Sequence, residues 1–115
     1  RRDTLTKEIV PMNDLVNIVK NLLDDMQKSL FKKALDFRDD HITKVENFEE
    51  FKSVLETKGG FISAHWDGTI ETEEKIKELT KATIRCIPLN NNKEAGVCVY
   101  SGKPSKERVL FAKAY

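Results

Sequence analysis

The stretch HITKVENFEEFKSVLETKGGFISAHWDGTIETEEKIKELTKATIRCIP, residues 41–88, decides the fold. Residues 41–45 are few and rich in β-branched side chains, which suits a short strand. Asn47 then stands where a helix N-cap belongs. Phe48, Phe51, Val54 and Leu55 follow at spacings of three and four, so a helix is predicted over 48–57. Gly59-Gly60 ends it, because a residue just past a helix C-terminus commonly takes the left-handed conformation that glycine tolerates. Residues 61–66 read as a second strand of small and apolar residues, and Asp67-Gly68 turns the chain. Thr69 or Thr72 can cap a helix that runs to Leu79, with Ile76 and Leu79 facing inward. Residues 83–87 read as a third strand, closed by Pro88.

Beyond Pro88, residues 90–94 form a polar loop. Residues 97–100 and 109–112 are the last apolar runs, joined through Ser101-Gly102-Lys103-Pro104. From residue 41 the order is therefore β-α-β-α-β-β. That order predicts an α+β two-layer sandwich with the helices on one face of a mixed sheet. Ahead of it, Leu15, Val19, Leu22, Leu23, Met26, Leu30 and Ala34 recur at helical spacing, with Phe31, Leu35 and Phe37 widening the stripe. This predicts one amphipathic helix over about 13–39, with Asn13 as its cap behind Pro11, roughly 40 Å long. A helix of that length either bridges two bodies or pairs as a coiled-coil arm. The expected division is 1–40, linker and long helix, and 41–115, an α+β domain.

The totals bound the function. The chain has 115 residues, 39% of them hydrophobic, which supports one modest core and not two full domains. No apolar run approaches the roughly 20 residues of a membrane span, and no secretory h-region is present. A net charge of +1 argues against a bulk polyanion binder. The charge is uneven, however: five basic residues face nine acidic ones in 41–80, and seven face two in 81–115. Lys81, Arg85, Lys93, Lys103, Lys106, Arg108 and Lys113 form that basic third. It is either a solvated surface or a tract facing RNA phosphates, although no aromatic pattern for base stacking accompanies it. Cys86 and Cys98 are too few for a disulfide framework, which suggests a reducing, cytoplasmic setting. The chain opens at Arg1 without a methionine and reads as a piece of something longer.

Catalytic constellations are not legible. No Ser/His/Asp elbow and no phosphate-cradling glycine loop occurs. Glu71, Glu73, Glu74 and Glu78 cluster toward the start of a helix, where acidic residues complement the macrodipole. His41 and His65 stand alone, and His65 is expected to be a hydrogen-bonded or exposed strand histidine. Trp66 is expected in the core and Cys86 as a buried small hydrophobe. Cys98-Val99-Tyr100-Ser101-Gly102 has the outline of a C-x-x-C-G zinc knuckle with serine in place of the second cysteine.

Three segments carry a resemblance to a known family: His65-Trp66-Asp67-Gly68, Ala82-Thr83-Ile84-Arg85-Cys86-Ile87-Pro88, and Phe111-Ala112-Lys113-Ala114-Tyr115. They lie in the stretches GGFISAHWDGTIETEEKIKELTKATIRCIPL (59–89) and GVCVYSGKPSKERVLFAKAY (96–115). These stretches resemble the C-terminal, zinc-binding-like domain of archaeal/eukaryotic-type prolyl-tRNA synthetases. Arg1-Arg2-Asp3 resembles the exit from the last strand of the anticodon-binding domain, and the long helix the segment that follows it. The resemblance implies a fold similar to the C-terminal domain of bacterial translation initiation factor three. It implies a homodimeric class II parent that uses ATP and magnesium to load proline onto its tRNA, with catalytic and anticodon-binding domains upstream. No catalytic residue is expected in this chain, which by itself should be inactive, and no DNA or membrane partner is implied. In the family a structural zinc takes two cysteine pairs, and these positions carry over to Asp67, Thr72, Cys98 and Ser101. Only Cys98 is a thiol, so no bound zinc is expected. A set of His65, Asp67, Cys86 and Cys98 is the conceivable substitute. The resemblance finally implies that the terminal carboxylate of Tyr115 docks in the catalytic domain. The alternatives are an RNA-binding module built on 81–115 and a protein-interaction module built on the long helix.

Overall fold

The computed structural model describes all of residues 1–115 and comprises two compact units, Arg1–Asp39 and Asp40–Tyr115. In the first, a 3-10 turn Met12–Asp14 leads into helix α1, Leu15–Asp40. Pro11 precedes the turn with an extended backbone, and Asn13 lies inside it instead of capping the long helix. Arg1 pairs with Asp3 and Asp25 at 2.8 and 2.7 Å, which holds the N-terminal segment against α1. No residue of α1 is buried, and Leu23, Leu30 and Phe31 on its apolar stripe are exposed.

The second unit follows the expected order. Strand β1 (Ile42–Lys44) leads to helix α2 (Phe48–Thr57), β2 (Phe61–His65), α3 (Ile70–Thr80) and β3 (Ala82–Cys86). The short strands β4 (Gly96–Val97) and β5 (Pro104–Ser105) come next, and β6 (Arg108–Lys113) is last. The Asn47 side chain accepts the Glu50 N–H at 2.9 Å, which satisfies one free donor of the first turn, and the Glu50 carboxylate reaches back to accept the Glu46 N–H ahead of the cap at 3.0 Å. Gly59, at φ +65, donates to the Val54 carbonyl and stops α2. Gly60 follows at φ +75, where a Cβ would stand 2.7 Å from the His41 carbonyl oxygen. Only glycine lets the chain pass that close to β1.

The main sheet has the order β1-β2-β6-β3. β1 and β2 are parallel across the α2 crossover, and β6 is antiparallel to both of its neighbours. Phe51 from α2 and Ile76 from α3 meet Ile62, Ala64, Val109 and Phe111 from the strands in one buried cluster. The Phe51 and Phe111 rings meet edge to face at 5.1 Å. Trp66 packs against this cluster, half-buried, and donates from its indole N–H to the Thr69 carbonyl at 3.1 Å.

Four expectations need correction. Leu79 is exposed, because it sits in the last turn of α3 beside an open groove lined by Leu55, Lys81 and Lys113. Cys86 is exposed too. The register between β3 and β6 slips between Ile84, opposite Phe111, and Cys86, opposite Leu110. That bulge turns Cys86 to the face away from the helices. The third strand accordingly starts at Ala82 and ends at Cys86, and Ile87 lies outside it. The apolar run 97–100 is not a strand of the main sheet. Only Gly96–Val97 pairs, with Pro104–Ser105 in a separate two-stranded sheet, while Cys98 and Val99 are buried beyond it.

Candidate functional site

The end of β2 gathers most of the polar order in the domain. Asp67 leaves the strand and turns at Gly68, which has φ +80. Its Oδ1 accepts the Thr69 N–H at 3.0 Å and the Thr69 hydroxyl at 2.8 Å. Thr69 thereby both braces Asp67 and caps α3, accepting the Thr72 N–H at 3.4 Å. The Asp67 Oδ2 accepts the Thr72 hydroxyl at 2.8 Å and the Ser101 hydroxyl at 2.6 Å. Ser101 donates its N–H toward the Cys98 Sγ at 3.5 Å. The turn that carries Cys98 and Ser101 is closed by Cys98 N–H to the Lys103 carbonyl and Gly102 N–H to the Cys98 carbonyl. The Val99 N–H donates to the His65 carbonyl at 3.0 Å, which seats this turn beside the end of β2. Asp67, Thr72, Cys98 and Ser101 are thus brought together. Sequence reasoning missed Thr69 as a member of the cluster. The Asp-Gly-Thr spacing that lets a carboxylate bond the N–H and hydroxyl two residues on was the available signal.

Burial opposes the charge of Asp67, yet the bonds from Ser101, Thr69 and Thr72 outweigh it and hold the carboxyl at about 2, below its ordinary 3.8. The folded-state value is the lower one. The stabilisation therefore stands above the unfolded value and is lost as the pH falls from there toward 2. A shift of that size corresponds to about 2 kcal/mol. Urea unfolding between about pH 5 and pH 3 should show this loss, and Asp67→Asn should flatten it. An equally steep acid limb in the variant would show that other carboxylates carry it.

The other candidates resolve into structural roles. His65 is buried, with Nδ1 3.0 Å from the Ser105 hydroxyl, and that hydroxyl donates to the Glu107 carbonyl at 2.9 Å. Ser105 therefore accepts from His65 Nδ1–H, and its own proton is committed elsewhere, the wrong polarity for an activated nucleophile. A Cβ on Gly96 would fall under 3.0 Å from three atoms of the His65 ring, so glycine is required there. The substitute metal set is not assembled. His65 is engaged with Ser105, Cys86 lies exposed on the other face, and no three His, Cys, Asp or Glu side chains are grouped to hold a metal ion.

The basic third is not one surface. Arg108 is buried and donates to the Val45 and Ser63 carbonyls at 3.0 and 3.1 Å. It pairs with Glu94 at 3.1 Å and also with Glu46. Arg85 donates to the Lys113 carbonyl at 3.1 Å. Tyr115 is fully exposed at the end of β6, next to a groove lined by Leu55, Gly60, Phe61 and Lys113. The Ala114 N–H donates to the Lys81 carbonyl at 2.7 Å and fixes the approach to Tyr115. No helix is long and apolar enough to cross a membrane.

Comparison with known proteins gives one consistent picture. A family model described as prolyl-tRNA synthetase, C-terminal, matches residues 48–115. The chain is similar along its whole length to proline–tRNA ligases. It is 67% identical to that of Flavobacterium johnsoniae, 61% to that of Christiangramia forsetii and 59% to that of Porphyromonas gingivalis. It spans only 23% of the length of each of these relatives.

Proposed function

Since the chain belongs to the prolyl-tRNA synthetase C-terminal domain family, we propose that it serves a parent enzyme that joins proline to its tRNA at the expense of ATP. The observation that carries this reading is the full-length match of the chain to proline–tRNA ligases. In this reading the rest of the polypeptide supplies the catalytic and anticodon-binding domains, with ATP, magnesium and the tRNA bound there. The parent works as a homodimer in the cytoplasm. The domain formed by residues 40–115 acts as a brace, and the long helix α1 connects it to the preceding part. By itself the chain is expected to activate no proline.

Tyr115 is the residue this proposal assigns to the active site. A terminal carboxylate offers two acceptor oxygens and a full negative charge, which suits an arginine fork or a pair of backbone N–H groups. Full exposure leaves it free to be taken up by another surface, and the bond from Ala114 to Lys81 sets its direction. The burial of Arg108 works against the RNA-module reading, since it removes one of the seven cations from solvent.

The test is proline loading onto tRNA by the full-length parent and by a form ending at Ala114. Loss of the terminal residue is expected to lower kcat/KM by about tenfold or more, with the fold unchanged by circular dichroism. Equal charging by both forms would leave the brace and remove the docking role. A parent that does not charge proline at all would refute the reading.

A further inference from the structure

In the family that the chain resembles, a structural zinc is held at the positions that correspond to Asp67, Thr72, Cys98 and Ser101, and the donor chemistry of these four residues does not fit one. Structural zinc sites are closed tetrahedra of thiolate and imidazole, with carboxylate as an occasional member. Here one carboxylate and one thiol stand with two neutral hydroxyls, which are poor zinc donors. The disposition of the protons adds a second obstacle. A carboxylate has about four lone-pair sites, and four donors already occupy those of Asp67: the Thr69 N–H, the Thr69 hydroxyl, the Thr72 hydroxyl and the Ser101 hydroxyl. A metal would have to displace this whole set and would gain only one thiolate in return.

We infer that Asp67 is the hub of a metal-free clasp, which fastens the turn 98–103 to the entrance of α3 at the positions where the resemblance places a zinc ion. Both devices solve one problem. The turn 98–103 and the loop after β2 are distant in sequence, Ser101 standing 34 positions after Asp67; Val99 anchors the turn in the core and Tyr100 meets Phe48, and the bond from Ser101 ties it to that loop. Zinc would join them through four bonds to a central cation. Here the centre is an anion, and the surrounding groups are hydrogen-bond donors. The polarity of the site is inverted while its place in the fold is kept. The buried Cys98 is the remaining thiol of the set, and it now accepts the Ser101 N–H.

Two properties follow, the first of which separates the clasp from a zinc site and the second from a packing contact. The clasp forms without a metal, so its stability is indifferent to chelators. Ser101 and Thr72 act through Asp67, so their contributions depend on it and are not independent of one another.

The experiment uses the whole 115-residue chain. Metal content is measured after expression in zinc-supplemented medium, and thermal unfolding is followed with and without EDTA. Much less than about one zinc per chain, and a midpoint that EDTA does not move, are expected; stoichiometric zinc would overturn the inference. Ser101→Ala and Asp67→Asn are each expected to lower the midpoint by about 4–8 °C, and the double variant to fall little below Asp67→Asn alone. Strictly additive losses would overturn the hub. The third arm is the triple variant Asp67→Cys, Thr72→Cys, Ser101→Cys, which completes a four-cysteine set with Cys98. It is expected to take up about one zinc or cobalt(II) per chain in tetrahedral thiolate coordination and to become chelator-sensitive. A folded triple variant that binds neither metal would show that the clasp does not occupy a metal position. If that variant does not fold, the double-variant cycle and the metal content of the natural chain decide the matter.

Discussion

Phe111→Ala is expected to remove about 4 kcal/mol of stability, a large part of what a domain of this size possesses. Phe111 is wholly buried in β6, and it is the point at which the two layers meet. Across the sheet it lies opposite Ile62 on one side and Ile84 on the other. Above the sheet, Phe51 of α2 stands edge to face with it. Truncation to alanine therefore removes a transfer contribution and leaves a cavity that three elements would have to collapse to fill. Urea unfolding by tryptophan fluorescence measures it through Trp66, the only tryptophan in the chain. Leu79→Ala is the matched control, since that exposed leucine should change stability by less than about 0.5 kcal/mol. Similar losses in the two variants would mean that the packing described for Phe111 does not carry the energy assigned to it.

Arg108→Met is the second large effect, at about 3 kcal/mol. The methionine keeps much of the volume and the apolar stem, so the loss reports the guanidinium. That group holds the Val45 carbonyl just beyond β1, the Ser63 carbonyl in β2, and the carboxylates of Glu46 and Glu94. Ser63 keeps the Val45 N–H as a donor, whereas the Val45 carbonyl loses the arginine donor. Burial disfavours the charge, and the bonds to Glu94 and Glu46 more than restore it, so the guanidinium stays charged at any accessible pH. Glu46 and Glu94 are themselves half-exposed or more, so most of the cost arises at the buried carbonyl and not at the carboxylates. Arg108→Lys should recover part of the loss, because a single ammonium cannot reach acceptors spread across a planar fork. Full recovery by lysine would show that charge alone matters.

Local signals carried the parts of the fold that local chemistry sets. The bounds of α2 agree with expectation at both ends, because its start is a side-chain cap at Asn47 and its stop a left-handed Gly59. The end of α1 was equally legible from its periodicity, but its start was not. Asn13 is an adequate cap by type, and the 3-10 turn absorbed it. Burial was misread where it depends on events elsewhere. Cys86 sits in an apolar, β-branched run, and only the bulge against β6 shows that it faces outward. Arg108 looked like one more surface cation, because nothing within its own strand announces that Glu46 and Glu94 converge on it. For the candidate site, the resemblance supplied the four positions and the chemistry of zinc supplied the doubt. Neither revealed that Asp67 would accept bonds from both sides of the cluster.

The order β1-β2-β6-β3 has a consequence for how the polypeptide is made. β6 occupies the middle of the sheet but follows both of its neighbours in the chain. While the ribosome is still short of Arg108, the nascent chain carries β2 and β3 with a vacancy one strand wide between them. Two unpaired edges of that kind are templates for other chains. The same six residues, Arg108–Lys113, bring in Phe111, Val109 and the guanidinium latch together. The unit thus cannot mature piecemeal behind the advancing ribosome. It closes in one late event, and a message interrupted before the codon for Arg108 yields a product with open edges and no core strand, a natural mark for chaperones and proteases.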